Sequence, residues 1–178
     1  MRIIGGTHKG RVIKTPGDLP LRPTTDFAKE ALFNILNNQI DFSTMDVLDL
    51  FAGTGNISLE FASRQCLSVT AVEKNPQCLR FISGMTASLG LNVTTIKADV
   101  FEYLKHTGSS YDLIFADPPY DSTGHENLHQ LVFGKGLLKP GALLIIEHGQ
   151  KTHLDQLTHF VQTRHYGAVR FSFFRADS

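Results

Sequence analysis

The sequence predicts an α/β protein whose sheet is mostly parallel and Rossmann-like. The first observation is that short apolar runs alternate with helix-type patterns between residues 46 and 160, which is typical of parallel strands joined by helices. The second is a glycine-rich loop, residues 52–56, directly after the first of these runs. The third is a pair of β-type runs around Gly167, which predicts a closing hairpin that adds an antiparallel strand.

The first 40 residues predict an extension before the sheet. Residues 2–4 and 10–14, with glycines between them, predict a short β-hairpin. Prolines and a glycine in residues 16–23 predict an irregular linker, and residues 24–26 are candidate helix N-caps. Apolar side chains at helical spacing in residues 27–36 then predict an amphipathic helix.

Residues 41–178 predict the alternating core, and the two parts together form one domain of residues 1–178. Strands are predicted at residues 47–51, 69–72, 93–96, 111–116 and 143–147. Helices are predicted from residues 57 and 76, through residues 101–104, near residues 127–133 and at residues 154–160. A turn is predicted at residues 139–141, and the closing hairpin pairs residues 164–166 with residues 169–174.

The composition is that of an ordinary globular domain. The 178 residues include 17 Lys and Arg and 17 Asp and Glu, and this zero net charge argues against a protein that coats nucleic acid nonspecifically. Cys66 and Cys78 match no metal or redox spacing and are expected to be structural. We see no signal peptide and no apolar stretch of membrane-spanning length, so we expect a cytoplasmic protein.

A four-residue motif, Asp117-Pro118-Pro119-Tyr120, follows the fourth predicted strand. The two prolines end that strand in a stiff loop. The loop presents a carboxylate, a backbone carbonyl and an aromatic ring, which suit the two hydrogens and the ring face of a planar exocyclic amine. We interpret the motif as the site that holds an amine substrate, and the alternative is a rigid turn without a chemical role.

The loop after the first predicted strand lets a ligand approach the backbone closely. Gly53 and Gly55 permit a tight turn, and Glu73 ends the next predicted strand 18 residues after Gly55. An acid at that spacing can accept the two hydroxyls of a ribose. Asp99, after the third predicted strand, can accept from an adenine amino group. The alternative role of these acids, above all of Asp99, is to cap the helices that follow.

Two residues around this loop favour a cationic adenosyl ligand over a dinucleotide. Asp49 lies four residues before Gly53 and would repel an anionic pyrophosphate, whereas a ligand with a sulfonium group would tolerate it. Ser58 stands where the dinucleotide fingerprint has its third glycine. An NAD-dependent oxidoreductase is therefore disfavoured.

The glycine loop, Glu73 and the proline motif resemble the class I S-adenosylmethionine-dependent methyltransferases, and the proline motif resembles the tetrapeptide of the amino-methyltransferases. The chain further resembles the bacterial 16S rRNA guanine-N2 methyltransferase family (RsmD-type), at residues 1–6, 9–11, 22–26, 30–36, 48–55, 72–73, 112–120 and 166–167. This resemblance implies a seven-stranded sheet with one antiparallel strand, and methyl transfer from S-adenosylmethionine to a guanine N2 amine. At Lys29 the family more often has arginine, so the charge is kept but a bidentate contact is not.

The resemblance also implies which residues meet the ligands. Catalysis is assigned to Asp117, Pro118, Pro119 and Tyr120. Cofactor contacts are assigned to Asp49, Ala52, Gly53, Thr54, Gly55, Asn56, Glu73, Lys74, Asp99, Val100 and Asp117. In this assignment the Asp117 carboxylate and the Pro118 carbonyl accept the amine hydrogens, and Tyr120 stacks on an extruded base.

The N-terminal segment is the predicted RNA-docking edge. Residues 1–17 carry Arg2, Lys9, Arg11 and Lys14 and no acid, and a local cationic segment on a neutral protein suits an anionic partner. With the family resemblance, these residues and Arg22 are expected to contact phosphates of ribosomal RNA or of a small-subunit assembly particle. The alternative is a charged edge that resists aggregation. We further expect a monomer that uses no metal and no membrane.

Other functions remain open at the level of sequence. A similar tetrapeptide serves methylation of adenine N6 or cytosine N4 in DNA and of a protein glutamine amide, and a noncatalytic RNA-binding module could keep the same fold. The segment from His125 to His129 matches the zinc-protease motif H-E-x-x-H, with Glu147 and His148 as candidate distant ligands. A protease would leave the glycine loop and Asp117 without a role.

Overall fold

Seven strands form one sheet in the computed structural model, which describes residues 1–19, 24–119 and 123–178. The strands are β1 (Asp46–Leu50), β2 (Ser68–Glu73), β3 (Thr94–Lys97), β4 (Tyr111–Ala116), β5 (Leu138–His148), β6 (Phe160–Tyr166) and β7 (Val169–Arg175). The helices are α1 (Asp26–Asn37), α2 (Asn56–Ser63), α3 (Pro76–Leu89), α4 (Val100–His106) and α5 (Gly124–Gly134). Within the described ranges, no helix has the length and hydropathy needed to cross a bilayer.

The strands are ordered β3-β2-β1-β4-β5-β7-β6 across the sheet. Strands β1 to β5 are parallel, whereas β7 pairs antiparallel with both β5 and β6. The predicted fold class, a mostly parallel sheet with one antiparallel strand, is therefore confirmed. The strand order reverses between β1 and β4, and open α/β sheets bind ligands beyond the carboxyl ends of the strands at such a point.

Helices cover both faces of the sheet because its central strands are apolar on both sides. On one face, α1 and α2 pack on the sheet through a cluster that includes Phe33, Phe61 and Phe115. The rings of Phe33 and Phe61 meet edge to face with centroids 4.8 Å apart. On the other face, α4 and α5 pack through a second cluster that includes Leu104 and Leu128. These two layers fix the positions of the strand ends and of the residues that follow them.

The first 14 residues form a hairpin that lies against α2. Its strands pair through an isolated antiparallel bridge between Arg2 and Val12, and a 3-10 turn at Gly6–His8 interrupts the pairing. A Cβ atom at Gly6 would lie 1.9 Å from the carbonyl oxygen of Ser63, so only glycine permits this close approach. The predicted hairpin is present, but its ladder is shorter than the sequence pattern indicates.

The turn predicted at residues 139–141 is wrong, because these residues belong to β5. Gly141 does adopt the left-handed backbone that a turn would need, with φ of 75°. The sheet accommodates it as a bulge: Tyr111 pairs with Leu138, and the next pair joins Leu113 to Leu143. Extra residues on β5 are thereby left without partners on β4.

The helix predicted at residues 154–160 is also wrong, because the segment forms turns until β6 begins at Phe160. Leu154 and Leu157 do pack against the second cluster, which explains their helical spacing. The N–H of Leu157 donates to the Leu154 carbonyl, but His159 then adopts a left-handed backbone with φ of 65°. The left-handed backbone at His159 prevents a helix from continuing, and β6 begins at the next residue.

Candidate active site

The carboxyl ends of four neighbouring strands meet along one row of the sheet. The row consists of Val72, Leu50, Ala116 and Ile146, which are in register across β2, β1, β4 and β5. The residues immediately beyond it are Phe51 and three acids, Glu73, Asp117 and Glu147. Parallel register therefore gathers carboxylates that are far apart in sequence at one edge of the sheet, on either side of the switch point.

The loop between β1 and α2 is tightly wound. Phe51, Gly53 and Gly55 all have positive φ, of 58°, 58° and 81°, and a bulky residue such as Phe51 rarely adopts this conformation. The N–H of Ala52 donates to the Val72 carbonyl at 3.1 Å, which ties the loop to β2. The backbone at the N-terminus of α2 is thus held close to the end of β2, as the glycine spacing predicts.

Replacing Gly55 with alanine is expected to destabilise the protein by about 1–2 kcal/mol, the cost of a left-handed conformation for a residue with a Cβ. The new Cβ would also lie 2.8 Å from the Cγ1 atom of Ile82, so either the loop or α3 must shift. We expect weaker binding of S-adenosylhomocysteine, measured by calorimetry beside urea unfolding. The matched control is Gly84→Ala in α3, where the added Cβ meets open space and should stabilise the helix by about 0.5–1 kcal/mol. Wild-type ligand affinity in Gly55→Ala would contradict the assignment of this loop.

Glu73 is held beside the glycine loop by three backbone groups. Its carboxylate accepts hydrogen bonds from the N–H groups of Gly53 at 2.9 Å and of Lys74 and Asn75 at 3.0 Å. Each carboxylate oxygen can accept more than one hydrogen bond, so ribose hydroxyls could still bind. The structure places Glu73 where the sequence analysis expects it, and its ribose contact stays a prediction.

Asp99 caps the helix that follows it. Its Oδ1 atom accepts from the N–H of Glu102 at 3.1 Å, which is the capping role that the sequence left open. The rest of the side chain is exposed beyond β3, with Val100 buried beneath. Lys74 is exposed after β2. The predicted adenine contact of Asp99 is compatible with its capping role and stays a prediction.

Asp49 is buried under the loop and held by α2. The Ser58 hydroxyl donates to its Oδ2 atom at 2.5 Å, so the residue that replaces the third glycine of a dinucleotide fingerprint orients this acid. Burial raises the pKa of Asp49 to about 7; the hydrogen bonds from Ser58 lower it, and the charges of Glu73 and Glu147 raise it further. A cationic ligand above this edge would favour the ionised form.

Asp117 extends the pairing of β4 with β1, since its N–H donates to the Leu50 carbonyl at 3.4 Å. Its side chain is half-buried, Pro118 is buried and Pro119 is exposed. Burial raises the pKa of Asp117 well above its usual range, and the nearby carboxylates of Glu147 and Asp49 raise it further. The carboxylate therefore lies in the acidic cluster at the switch point. The predicted stacking residue Tyr120 lies outside the described residues.

These residues fit an adenosyl ligand that carries a positive charge. Glu73 offers hydrogen-bond acceptors at the end of β2, and a side chain at Gly55 would close the space beside Ile82. Asp49 and Asp117 are acids whose ionised forms are disfavoured by burial and further by nearby carboxylates, which include Glu147 in both cases. A cation would relieve that repulsion, whereas the phosphates of a dinucleotide would add to it.

A buried ion pair that the sequence analysis did not find joins the N-terminal hairpin to the core. Glu60 is fully buried on α2 and accepts from the N–H groups of Ile4 and Gly5, each at 2.9 Å. Its carboxylate also contacts Lys29 at 3.2 Å and Arg64 at 3.0 Å. The sequence signal for this pair is that Lys29 and Glu60 each occupy a position on the apolar face of a helix, α1 and α2 respectively.

From Lys29 a chain of hydrogen bonds leads to Glu147 at the carboxyl ends of the strands. Its ammonium group donates to the Arg2 carbonyl at 2.5 Å and to Asn56 Oδ1 at 2.8 Å. The Asn56 amide donates to the Thr24 carbonyl at 3.0 Å, and the Thr24 hydroxyl donates to Glu147 Oε2 at 2.6 Å. We call Lys29, Asn56, Thr24 and Glu147 the buried polar chain. The Asn56 side chain is buried within it, and its predicted cofactor contact stays a prediction.

The predicted RNA-docking residues are on the surface. Arg2, Lys9, Arg11 and Lys14 are all exposed on the N-terminal hairpin. Arg22 lies outside the described residues. The structure thus presents four cationic side chains on the extension that packs against α2, and their contact with RNA stays a prediction.

The two histidines of the zinc-protease motif lie in packing contacts. His125 and His129 are buried on α5, and the ring of His129 is hydrogen bonded to the Thr158 carbonyl at 2.9 Å and packs on Phe174. Among the described residues there is no group of three or more His, Cys, Asp or Glu that could hold a metal ion. His125 packs on His148 of β5, and His129 packs between α5 and β7.

The chain is similar in sequence to a described protein family and to named relatives. A family model described as "Conserved hypothetical protein 95" matches residues 1–175. A protein from Buchnera aphidicola subsp. Baizongia pistaciae named "Ribosomal RNA small subunit methyltransferase D" is 34% identical over 158 residues, which cover 88% of this chain and 79% of the relative.

Two solved structures have the same fold. A hypothetical protein of Thermus thermophilus superposes with a TM-score of 0.86 at 26% identity, over 100% of this chain and 99% of its own. A 16S rRNA N2 G1207 methyltransferase of T. thermophilus, solved with AdoMet and guanosine, superposes with a TM-score of 0.71 at 20% identity. The match covers 90% of this chain and 46% of that one, and at this identity it shows the fold alone.

Proposed function

The chain belongs to the family described as "Conserved hypothetical protein 95", and from this premise we propose that it is a methyltransferase acting on 16S ribosomal RNA. The reaction is transfer of a methyl group from S-adenosylmethionine to the exocyclic N2 amine of a guanine. The family relatives named as small-subunit rRNA methyltransferases support this proposal. The observation that carries it is the position of Asp117 and Pro118 at the switch point, beside Asp49 and the glycine loop.

The cofactor supplies an electrophilic methyl group on a sulfonium when it is bound. The residues that would hold it are Glu73 at the ribose, the backbone of residues 52–56, and Asp99 at the adenine. Asp49 and Asp117 supply the negative charge that suits a cation. The chain's own contribution is therefore to bind and orient the donor, which is the larger part of catalysis for a transfer that needs little covalent help.

The N2 amine of guanine is a poor nucleophile because its lone pair is delocalised into the ring. The Asp117 carboxylate and the Pro118 carbonyl would accept its two hydrogens and so favour the pyramidal nitrogen of the transition state over the planar ground state. Prior deprotonation is not required, because the amine proton becomes acidic only as the methyl group arrives. Tyr120 would fix the plane of the extruded base.

The experiment that tests this function uses labelled S-adenosylmethionine with 16S rRNA, and separately with small subunits, from cells that lack the enzyme. Mass spectrometry of nucleosides should show N2-methylguanosine at one position. Label in adenine N6, in cytosine N4, in DNA or in a protein glutamine would instead support the related amino-methyltransferases. Binding of RNA without any transfer would favour a noncatalytic module.

The exposed hairpin cations should determine RNA affinity. We expect the double change of Lys9 and Arg11 to glutamate to weaken RNA binding and to reduce the slope of log affinity against log salt concentration by about 1 for each lost phosphate contact. Filter binding over a range of salt concentrations measures both quantities. The matched control reverses Lys105 and Lys135, which lie at the C-terminal ends of α4 and α5 on the face of the sheet opposite to α2 and the hairpin. Equal losses in both double variants would return the hairpin to a purely structural role.

A further inference from the structure

Glu147 is a buried carboxylate that the proposed reaction has not used. Its side chain is 2% exposed, and it lies one residue beyond Ile146, the register partner of Ala116 on β4. Asp117 is likewise one residue beyond Ala116, so the two acids follow equivalent positions on adjacent parallel strands. Their charges affect each other, which agrees with this proximity.

Within the described part of the chain, a donor to Glu147 is found at one carboxylate oxygen. The Thr24 hydroxyl donates to Oε2 at 2.6 Å, and it is the only donor to this carboxylate among residues 1–19, 24–119 and 123–178. A buried carboxylate normally has several hydrogen-bond donors. The second oxygen therefore has acceptor capacity that a ligand could use.

The position of Glu147 separates it from the cofactor residues. Glu73 is the last residue of β2 and Asp99 follows β3 on one side of the switch point, whereas Glu147 is the second-last residue of β5 on the other side. Asp117, the proposed acceptor of the amine, lies after β4 between these two groups. If the substrate amine lies at Asp117 and points towards the methyl donor on the β1 side, the rest of the base extends towards β5.

The base that fits this arrangement must offer a further hydrogen next to its amine. On the Watson–Crick edge of guanine the N1–H lies beside the C2 amine, so two acceptors at Asp117 and Pro118 leave N1–H to be satisfied. In adenine and cytosine the ring nitrogen next to the exocyclic amine is instead an acceptor, which a carboxylate would repel. Burial raises the pKa of Glu147 to about 7, and its ionised form, which predominates above that pH, distinguishes guanine from the other amine-bearing bases.

We propose that Glu147 is a specificity-determining residue that accepts the N1–H of the target guanine, with Thr24 as the positioning residue that orients its carboxylate. This inference rests on the proposed function and names the recognition of its substrate. A base whose ring nitrogen is an acceptor would leave the buried Glu147 carboxylate without a donor. We expect kcat/KM for such a base to be about 10- to 100-fold lower than for guanine.

The test replaces the target guanosine, once mapped, with 2-aminopurine in 16S rRNA assembled by ligation. This base keeps the C2 amine but carries an acceptor at N1 and has no 6-oxygen. Wild-type protein should prefer guanine by about 10- to 100-fold in kcat/KM. In Glu147→Gln the side-chain amide can donate to N1 of 2-aminopurine. The kcat/KM for guanine should therefore fall, and the ratio of kcat/KM for guanine to that for 2-aminopurine should approach 1 or fall below it.

Several outcomes decide between this role and a structural one. Equal loss on both bases, with the preference unchanged, would overturn the proposal, because a purely structural defect does not distinguish them. The affinity of Glu147→Gln for S-adenosylhomocysteine should stay at the wild-type value. Should that variant fail to fold, Thr24→Val, which removes the orienting hydroxyl, must lower the preference or the proposal is wrong. If wild-type protein modifies a base other than guanine, it is the proposed function that fails.

Discussion

Replacing Asp117 with alanine is expected to reduce kcat/KM for methyl transfer by about 10²- to 10³-fold, the range found when one group that stabilises a transition state is removed. The Asp117 side chain would accept a hydrogen from the amine as its nitrogen becomes pyramidal, and alanine offers no acceptor. The affinity for S-adenosylhomocysteine should change by less than about tenfold, because Glu73 and the glycine loop remain. Single-turnover kinetics and calorimetry measure the two quantities separately.

The matched control for this variant is Asp112→Ala on the same strand. Asp112 lies near the amino end of β4, where its carboxylate contacts Lys139 at 3.0 Å and accepts from the Asp46 N–H at 2.9 Å. Removing it takes away a partly exposed acid far from the switch point, so turnover should stay near the wild-type value. Near-normal transfer by Asp117→Ala would instead eliminate the proposed role of the proline motif.

The largest loss of stability is expected from Glu60→Ala. This change would leave Lys29 buried without its carboxylate and would remove the acceptor of the Ile4 and Gly5 N–H groups. Breaking a buried ion pair by deleting one partner costs about 3–5 kcal/mol, which is a large part of the stability of a domain of this size. The free energy of unfolding in urea is the measurement.

An exposed glutamate on a neighbouring helix provides the comparison. Glu30 lies on α1 and is exposed, so Glu30→Ala should change the free energy of unfolding by no more than about 0.5 kcal/mol. A cost below about 1 kcal/mol for Glu60→Ala would mean that water replaces the lost contacts and that the hairpin is only loosely docked.

The features that could be predicted from the sequence are those that depend on neighbouring residues. Two prolines after an apolar run end a strand wherever they occur, and a glycine loop after a strand winds tightly, so Asp117 and Gly55 are found where expected. For the segment containing Gly141, the predicted backbone conformation is correct, but the prediction of a turn is wrong because the segment pairs within the sheet. The same left-handed glycine serves a turn or a bulge, and only the neighbouring strand decides.

The features that could not be predicted depend on residues far apart in the chain. Thr24 and Glu147 are separated by 123 positions and form one hydrogen bond. Ser58 seemed only to be a missing glycine, whereas its hydroxyl holds Asp49. Polar groups in a core are satisfied by whichever elements pack there, and a single sequence does not give those pairings.

The insertion of β7 between β5 and β6 has a consequence for the order in which the sheet can be completed. Strand β6 joins the sheet only through β7, and the free edge of β5 stays unpaired until residues 169–175 are available. Phe171, the partner of Glu147 across that pair, belongs to the same late segment. During synthesis from the amino terminus, the strands that carry Glu73 and Asp99 can therefore pair before β5 has both of its neighbours. The closing hairpin must then dock as a unit to complete the sheet beside Glu147.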